Sequence, residues 1–265
     1  MTDRHSQERV RQFWSQQAAS HGQLHSASWS DRMMIELEIR EIVRHLADGD
    51  RVLDVGCANG YSTVQFASQK RVEVRGLDYI PEMIEQARLR AASMAPALIG
   101  RVEFDVGDAT ALKEPDESYE KVIAIRVIIN LGEWERQRIA LLECARAVRP
   151  GGLLLLSEAT LQGWRRLNSL RREWGLPDIS MPWFNRYLDQ DAVVEAVSPE
   201  LELVEISDFA STYYVGTRVL KPLLIQALKA DVDVADPEAE WNRWCAQLPA
   251  WGDYGTQKLF VFRRP

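Results

Sequence analysis

The stretch RVLDVGCANGYST, at 51–63, constrains the fold more than any other part of the chain. Val52, Leu53 and Val55 form a short aliphatic and β-branched run of the kind that fills a strand buried on both faces. Gly56 and Gly60 interrupt it before a helical pattern begins at Tyr61. A strand, a tight turn and a helix in that order aim several backbone N–H groups at one point, and the missing side chains let a ligand approach the backbone closely. A nucleotide-binding α/β unit is the expectation here.

The spacing narrows the nucleotide. A dinucleotide fingerprint reads G-x-G-x-x-G, whereas the order in this chain is Asp54, Gly56, Ala58, Gly60. A carboxylate at the end of the first strand would face a pyrophosphate at close range, but it suits a ligand presenting an ammonium and a sulfonium. That makes a nicotinamide-dependent oxidoreductase the weaker reading. On these residues the chain resembles the class I S-adenosylmethionine-dependent methyltransferases, whose first motif is the same acid followed by a glycine-rich turn. Ala58 stands where that family most often has glycine. The resemblance implies an α/β fold with a Rossmann-like, doubly wound sheet of seven mostly parallel strands, the last antiparallel, plus helical lid insertions. It also implies S-adenosyl-L-methionine as cofactor and S-adenosyl-L-homocysteine as product.

The residues after the turn follow the same scheme. VEVRGLD reads as the second parallel strand, and its terminal Asp78 lies where a carboxylate accepts hydrogen bonds from both hydroxyls of a ribose. Tyr79 and Ile80 would flank the adenine, and Pro81 opens the next helix. RVEFDVGDA is the third strand; Asp108, before Ala109, matches the family's second motif, in which a carboxylate receives the adenine amino group, although a turn aspartate would look alike. YEKVIAI is a fourth, central strand. Arg126 and Asn130 then break an aliphatic stretch beside the glycine turn, where such sheets bind ligands. Asn130 could orient a substrate hydroxyl, and Arg126 could bind the cofactor or hold a carboxylate or phosphate bidentately, unless both merely tie the loop. A helix over 133–148 leads through RPGG to a fifth strand, LLLLSE.

The segments outside this core are expected to build the acceptor site. A helix over 3–18 and the polar stretch that follows would close over the cofactor, so Trp14, His21, His25 and Trp29 are candidate lining residues; solvated loop histidines are the alternative. A helix over 31–46, capped by Ser30, packs on the sheet. Two insertions, 161–188 and 209–255, carry Trp183, Tyr213 and Tyr214 as candidate substrate contacts. The division expected is therefore a cover segment at 1–30, a cofactor core at 31–160, and the remainder of the sheet with its insertions at 161–265.

Methyl transfer from a sulfonium needs no covalent nucleophile, but an alcohol acceptor must lose its proton; His21, His25, Glu158 and Tyr214 are the candidate bases, with His25, Asn130 and Glu158 the residues assigned to catalysis. The acceptor implied is a small polar molecule, an oxygen of a saccharide or secondary metabolite. N- or C-methylation, or a domain that binds the cofactor without catalysis, are the alternatives. A formal net charge of -7 argues against a nucleic-acid surface. The three cysteines, Cys57, Cys144 and Cys245, have neither disulfide nor zinc spacing, no metal constellation is legible, and no window is apolar enough to span a membrane. A reduced, cytoplasmic monomer or homodimer is the expectation.

Overall fold

The computed structural model describes residues 2–229, 233–234 and 236–265. Seven strands form one sheet in the order β3-β2-β1-β4-β5-β7-β6. They are β1 (Arg51–Val55), β2 (Glu73–Asp78), β3 (Arg101–Val106), β4 (Tyr119–Ile125), β5 (Val148–Ala159), β6 (Glu202–Ser207) and β7 (Gln257–Arg263). β1 to β5 are mutually parallel, while β7 runs antiparallel to both β5 and β6. The seven-stranded expectation with an antiparallel last strand holds.

The alternation of strand side chains explains why the central strands read as unbroken apolar runs. Val52, Ile123 and Leu155 point to one face, and Leu53, Val122 and Leu154 to the other, all essentially without solvent exposure. Helices α2 (Arg32–Val43) and α3 (Tyr61–Gln69) cover the first face with Met34, Ile35, Ile42 and Phe66. Helices α5 (Trp134–Ala147) and α7 (Gln190–Val197) cover the second with Leu141, Cys144, Val193 and Val197. Each fully buried aliphatic side chain contributes roughly 1.5–3 kcal/mol, so the two layers fix the sheet and hence the ends of its strands. Helix α1 (Thr2–His21) lies against α4 (Pro81–Met94), and α6 (Leu161–Glu173) follows β5.

The insertion between β6 and β7 forms α8 (Ser211–Val215), a π-helical turn, α9 (Lys221–Leu228) and α10 (Glu240–Gln247). It is tied to α2 by a buried polar network. Asp31, not Ser30, caps α2: its Oδ1 accepts from the Met34 N–H at 3.2 Å and from the Tyr213 hydroxyl at 2.6 Å, and its Oδ2 pairs with Arg218 at 2.5 Å. Asp31 takes the capping position because one carboxylate there satisfies the helix end and the insertion together, which a hydroxyl cannot. Tyr213 is thus corrected from substrate contact to interior strut, with Asn242 donating to its oxygen at 3.1 Å. Tyr213→Phe is expected to destabilise the protein by about 2 kcal/mol, the typical worth of a buried hydrogen bond to a charged group, measurable as a lowered urea midpoint.

Candidate functional site

The site lies where the strand order reverses, beyond the C-terminal ends of β1 and β4. At that point β2 and β5 lead their crossovers in opposite directions and leave a crevice. The turn after β1 is built as its glycines require. Gly56 has φ +76°, and a Cβ there would come within 2.5 Å of Val127; Gly60 has φ +72°, and a Cβ would meet Phe104 at 2.9 Å. Only glycine fits either place.

Asp78 organises this turn from the next strand. Its Oδ2 accepts from the Ala58 N–H and its Oδ1 from the Ile80 N–H, both at 2.9 Å, and the carboxylate lines the crevice. A carboxylate has about four lone-pair sites, so acceptor capacity remains beyond these bonds. Burial pushes the carboxyl up to about 6, against the pull of those backbone donors. Asp54, one strand over, accepts from the Thr63 hydroxyl at 2.6 Å and is raised to about 7, by burial first, with the neighbouring charge of Asp78 adding to it. Two adjacent carboxylates kept short of full ionisation at neutral pH suit a ligand that brings a positive charge and hydroxyl donors. Ala58 carries φ +48°, a left-handed conformation that a side chain disfavours. Ala58→Gly is expected to raise stability by up to about 1 kcal/mol, read as a small increase in Tm.

The crevice continues on both sides of the turn. Toward one side Tyr79, Asp108, Ala109 and Arg136 line a second recess that shares Gly56, Asp78 and Asn130 with the first. Asp108 uses one oxygen on its own turn, accepting from the Thr110 N–H and hydroxyl at 2.8 and 2.7 Å. Toward the other side the walls are aromatic: Trp14 from α1, Trp29 from the loop before α2, Phe184 and Tyr187 from the loop after α6, and Tyr214 from α8. Phe13 stacks on Phe184 at 4.6 Å and Trp14 meets Phe184 edge-on at 5.5 Å, so the N-terminal helix and the 182–188 loop close over the crevice as one aromatic layer. Asn59 fastens the cover to the turn, its amide donating to the Gly22 and Leu24 carbonyls at 2.8 Å each.

Several candidates from the sequence fall elsewhere. Glu158 lies beneath the floor, fully buried; its Oε1 accepts from the Val127 and Ile128 N–H groups at 2.9 and 2.7 Å, and burial raises it to about 8. It is corrected from catalytic group to the support of the turn after β4, because the strand alternation aims it away from the crevice. His21 bonds the Ser26 hydroxyl at 2.9 Å, and His25 bonds the Ser30 carbonyl and faces Glu238, so neither lines the crevice. The cover folds with its aromatic side chains inward and its histidines outward. Trp183 is also corrected: it is 56% exposed, packed on Phe13 with Arg9 against its ring, while Phe184 beside it takes the lining position. Asn130 does line the crevice, its amide donating to the Arg126 carbonyl at 2.6 Å and its Oδ1 buried without a partner.

Sequence reading missed Glu38 altogether. It sits on the buried stripe of α2, unexposed, and pairs with Arg126 at 3.2 Å under the crevice. A charged residue on an otherwise apolar helix face was the one available signal. Among the described residues no group of three potential metal ligands converges, and no helix is long and apolar enough to cross a membrane.

Comparison with known proteins agrees with this geometry. Residues 52–152 match the family model described as "Methyltransferase domain". The methyltransferase GfsG of Streptomyces halstedii is 29% identical over 206 residues, which cover 77% of this chain and 69% of that protein. The 27-O-demethylrifamycin SV methyltransferase of Amycolatopsis mediterranei is 31% identical over 149 residues, 52% of either chain. This chain thus spans about half the length of most of the curated relatives it matches. In fold alone, it is similar to the magnesium protoporphyrin IX methyltransferase of Synechocystis PCC 6803, solved with bound SAH. The TM-score is 0.60, with 14% identity over 96% of this chain and 94% of that one. Together with a sheet in the order 3-2-1-4-5-7-6, these matches support a class I S-adenosylmethionine-dependent methyltransferase.

Proposed function

We propose that this protein methylates an oxygen of a small secondary metabolite. The observation that carries the reading is that Asp54 and Asp78, at the ends of adjacent strands, open into the same crevice as a set of aromatic walls. S-adenosylmethionine supplies a sulfonium-bound methyl group to an in-line displacement. Asp78 would hold the ribose hydroxyls with its free lone pairs, Asp54 the ammonium, and Asp108, with Tyr79 and Ile80, the adenine end. Val127 packs so closely on Gly56 that no side chain fits at that point of the turn. The aromatic layer of Trp14 and Phe184 would exclude water from the acceptor side, so the rate would come mainly from holding the acceptor oxygen in line in a dry site. Relatives named as O-methyltransferases of secondary metabolites support oxygen as the acceptor atom.

Calorimetric titration tests the first half of this reading. S-adenosylmethionine is expected to bind with micromolar Kd and NADH not at all; binding of NADH alone would replace methyl transfer by hydride transfer. Carbon NMR with a 13C-labelled methyl donor, over a panel of phenols, sugars and amines, tests the second: a new methoxy resonance supports the reading, and a new N-methyl or C-methyl resonance in its place defeats the choice of oxygen.

A further inference from the structure

Arg126 is held in a manner that the cofactor reading does not explain. It follows β4 in a left-handed conformation, φ +51°, costly for a long side chain and tolerated only where the surroundings over-determine it. The surroundings do so. Its N–H donates to the Ser157 carbonyl at 2.9 Å, its carbonyl receives the Asn130 amide at 2.6 Å, and Glu158 holds the next two N–H groups. The guanidinium is clamped as well, its Cζ 4.7 Å from the centroid of the Trp29 ring and its Nε 3.2 Å from Glu38. Glu38 is in turn fixed by the Ser157 hydroxyl at 2.5 Å and the Gln257 amide at 3.1 Å, both donating to its Oε1. Among the described residues the two terminal nitrogens of Arg126 make no hydrogen bond, and the side chain lines the crevice on its aromatic side.

We infer that Arg126 is an acceptor-binding residue that selects an acidic hydroxyl, a phenol or enol taken up as its anion, and that Glu38 is the residue that positions it. The inference rests on the methyl-transfer reading and names its substrate class. A guanidinium with one edge on a carboxylate, one face on an indole and its far edge open to a largely apolar cleft calls for an oxygen anion there. The same cleft offers no base for an unactivated alcohol. Among the described lining residues there is no histidine or lysine, Asp54 and Asp78 are committed to the cofactor side, and burial raises the Tyr187 and Tyr214 hydroxyls above the ordinary phenol range. An acidic hydroxyl removes the difficulty by giving its proton to water as it binds. The anion's lone pair then forms the new C–O bond while the C–S bond breaks, and the sulfur keeps that bond's electron pair as a neutral thioether. One negative and one positive charge disappear together, and Arg126 balances the anion until they do.

The test uses the full-length protein saturated with S-adenosylhomocysteine and two bicyclic probes, 2-hydroxy-1,4-naphthoquinone, which is an anion at neutral pH, and 1,2,3,4-tetrahydro-1-naphthol, which is not. The wild type is expected to bind the anion about tenfold or more tightly than the neutral alcohol, with an affinity that falls as pH drops through the probe's own ionisation. Arg126→Met is expected to remove that preference and its pH dependence while S-adenosylhomocysteine still binds within a few-fold, and Arg126→Lys to restore part of it. Glu38→Gln, which turns an amide toward the guanidinium, is expected to weaken the anion several-fold and leave the neutral probe and S-adenosylhomocysteine unchanged. A wild type without preference for the anion overturns the inference. So does an Arg126→Met protein that keeps the preference, or that loses S-adenosylhomocysteine in its place. Failure of the wild type to bind S-adenosylhomocysteine is a separate result and defeats the methyl-transfer reading itself.

Discussion

Asp78→Ala is expected to weaken S-adenosylmethionine binding by at least about a hundredfold while the apo protein still folds. Two charge-assisted hydrogen bonds to the ribose would be lost, each worth about 1.5–3 kcal/mol. The same carboxylate also holds the Ala58 and Ile80 N–H groups, so its removal loosens the turn the cofactor rests on. The apo fold survives because a carboxyl that burial raises to about 6 is a cost to the empty protein, and its loss relieves that cost. Asp78→Asn is not expected to rescue binding. Both carboxylate oxygens receive backbone N–H groups, and an amide would set its own donors against one of them. Calorimetry on the wild type and both variants, with circular dichroism melts as the control for folding, measures this directly. An Asp78→Ala protein that binds as tightly as the wild type would remove Asp78 from the cofactor site.

The second large effect is on pH dependence. Asp54, Asp78 and Glu158 are raised to about 7, about 6 and about 8, in each case by burial above all. The sign follows from linkage. The folded protein keeps protons on these groups that the unfolded chain has already released, so their contribution is complete below the unfolded carboxyl values near 4 and is lost as pH rises through the folded values. The apo protein is therefore expected to lose up to about 8 kcal/mol of stability between pH 5 and pH 8.5, where exposed carboxylates are already ionised and do not oppose the trend. Glu158→Gln should flatten the upper part of that window. Cofactor affinity should run the opposite way, rising with pH toward about 7 as Asp54 becomes the anion its ammonium partner needs. Differential scanning calorimetry with and without S-adenosylmethionine separates the two. A melting temperature that climbs steadily from pH 5 to pH 8.5 would show these carboxyls to be ionised in the fold.

By itself the sequence determined the sheet and the cofactor end of the site. The central strands are apolar on both faces because helices cover both, and that leaves a local signature: α3 at Tyr61–Gln69 and β4 at Tyr119–Ile125 match the spans expected from the residues alone. The glycine turn and the acids at 54 and 78 are equally local, since backbone conformation and position at a strand end define them. The acceptor side was decided by tertiary structure. Which side of the cover faces inward depends on how α1 and the 182–188 loop pack on each other, and that contact puts Trp14 and Phe184 inside while leaving His21, His25 and Trp183 out. Glu158 and Tyr213 carry the same residue types as catalytic and binding groups, and only alternation along β5 and the network around Asp31 assign them to support. Glu38 and Arg126 are 88 positions apart in a chain read one segment at a time, and their pairing exists only because α2 lies across the ends of β4 and β5. Local pattern specifies backbone and strand ends; the direction of a polar side chain is set by partners distant in sequence.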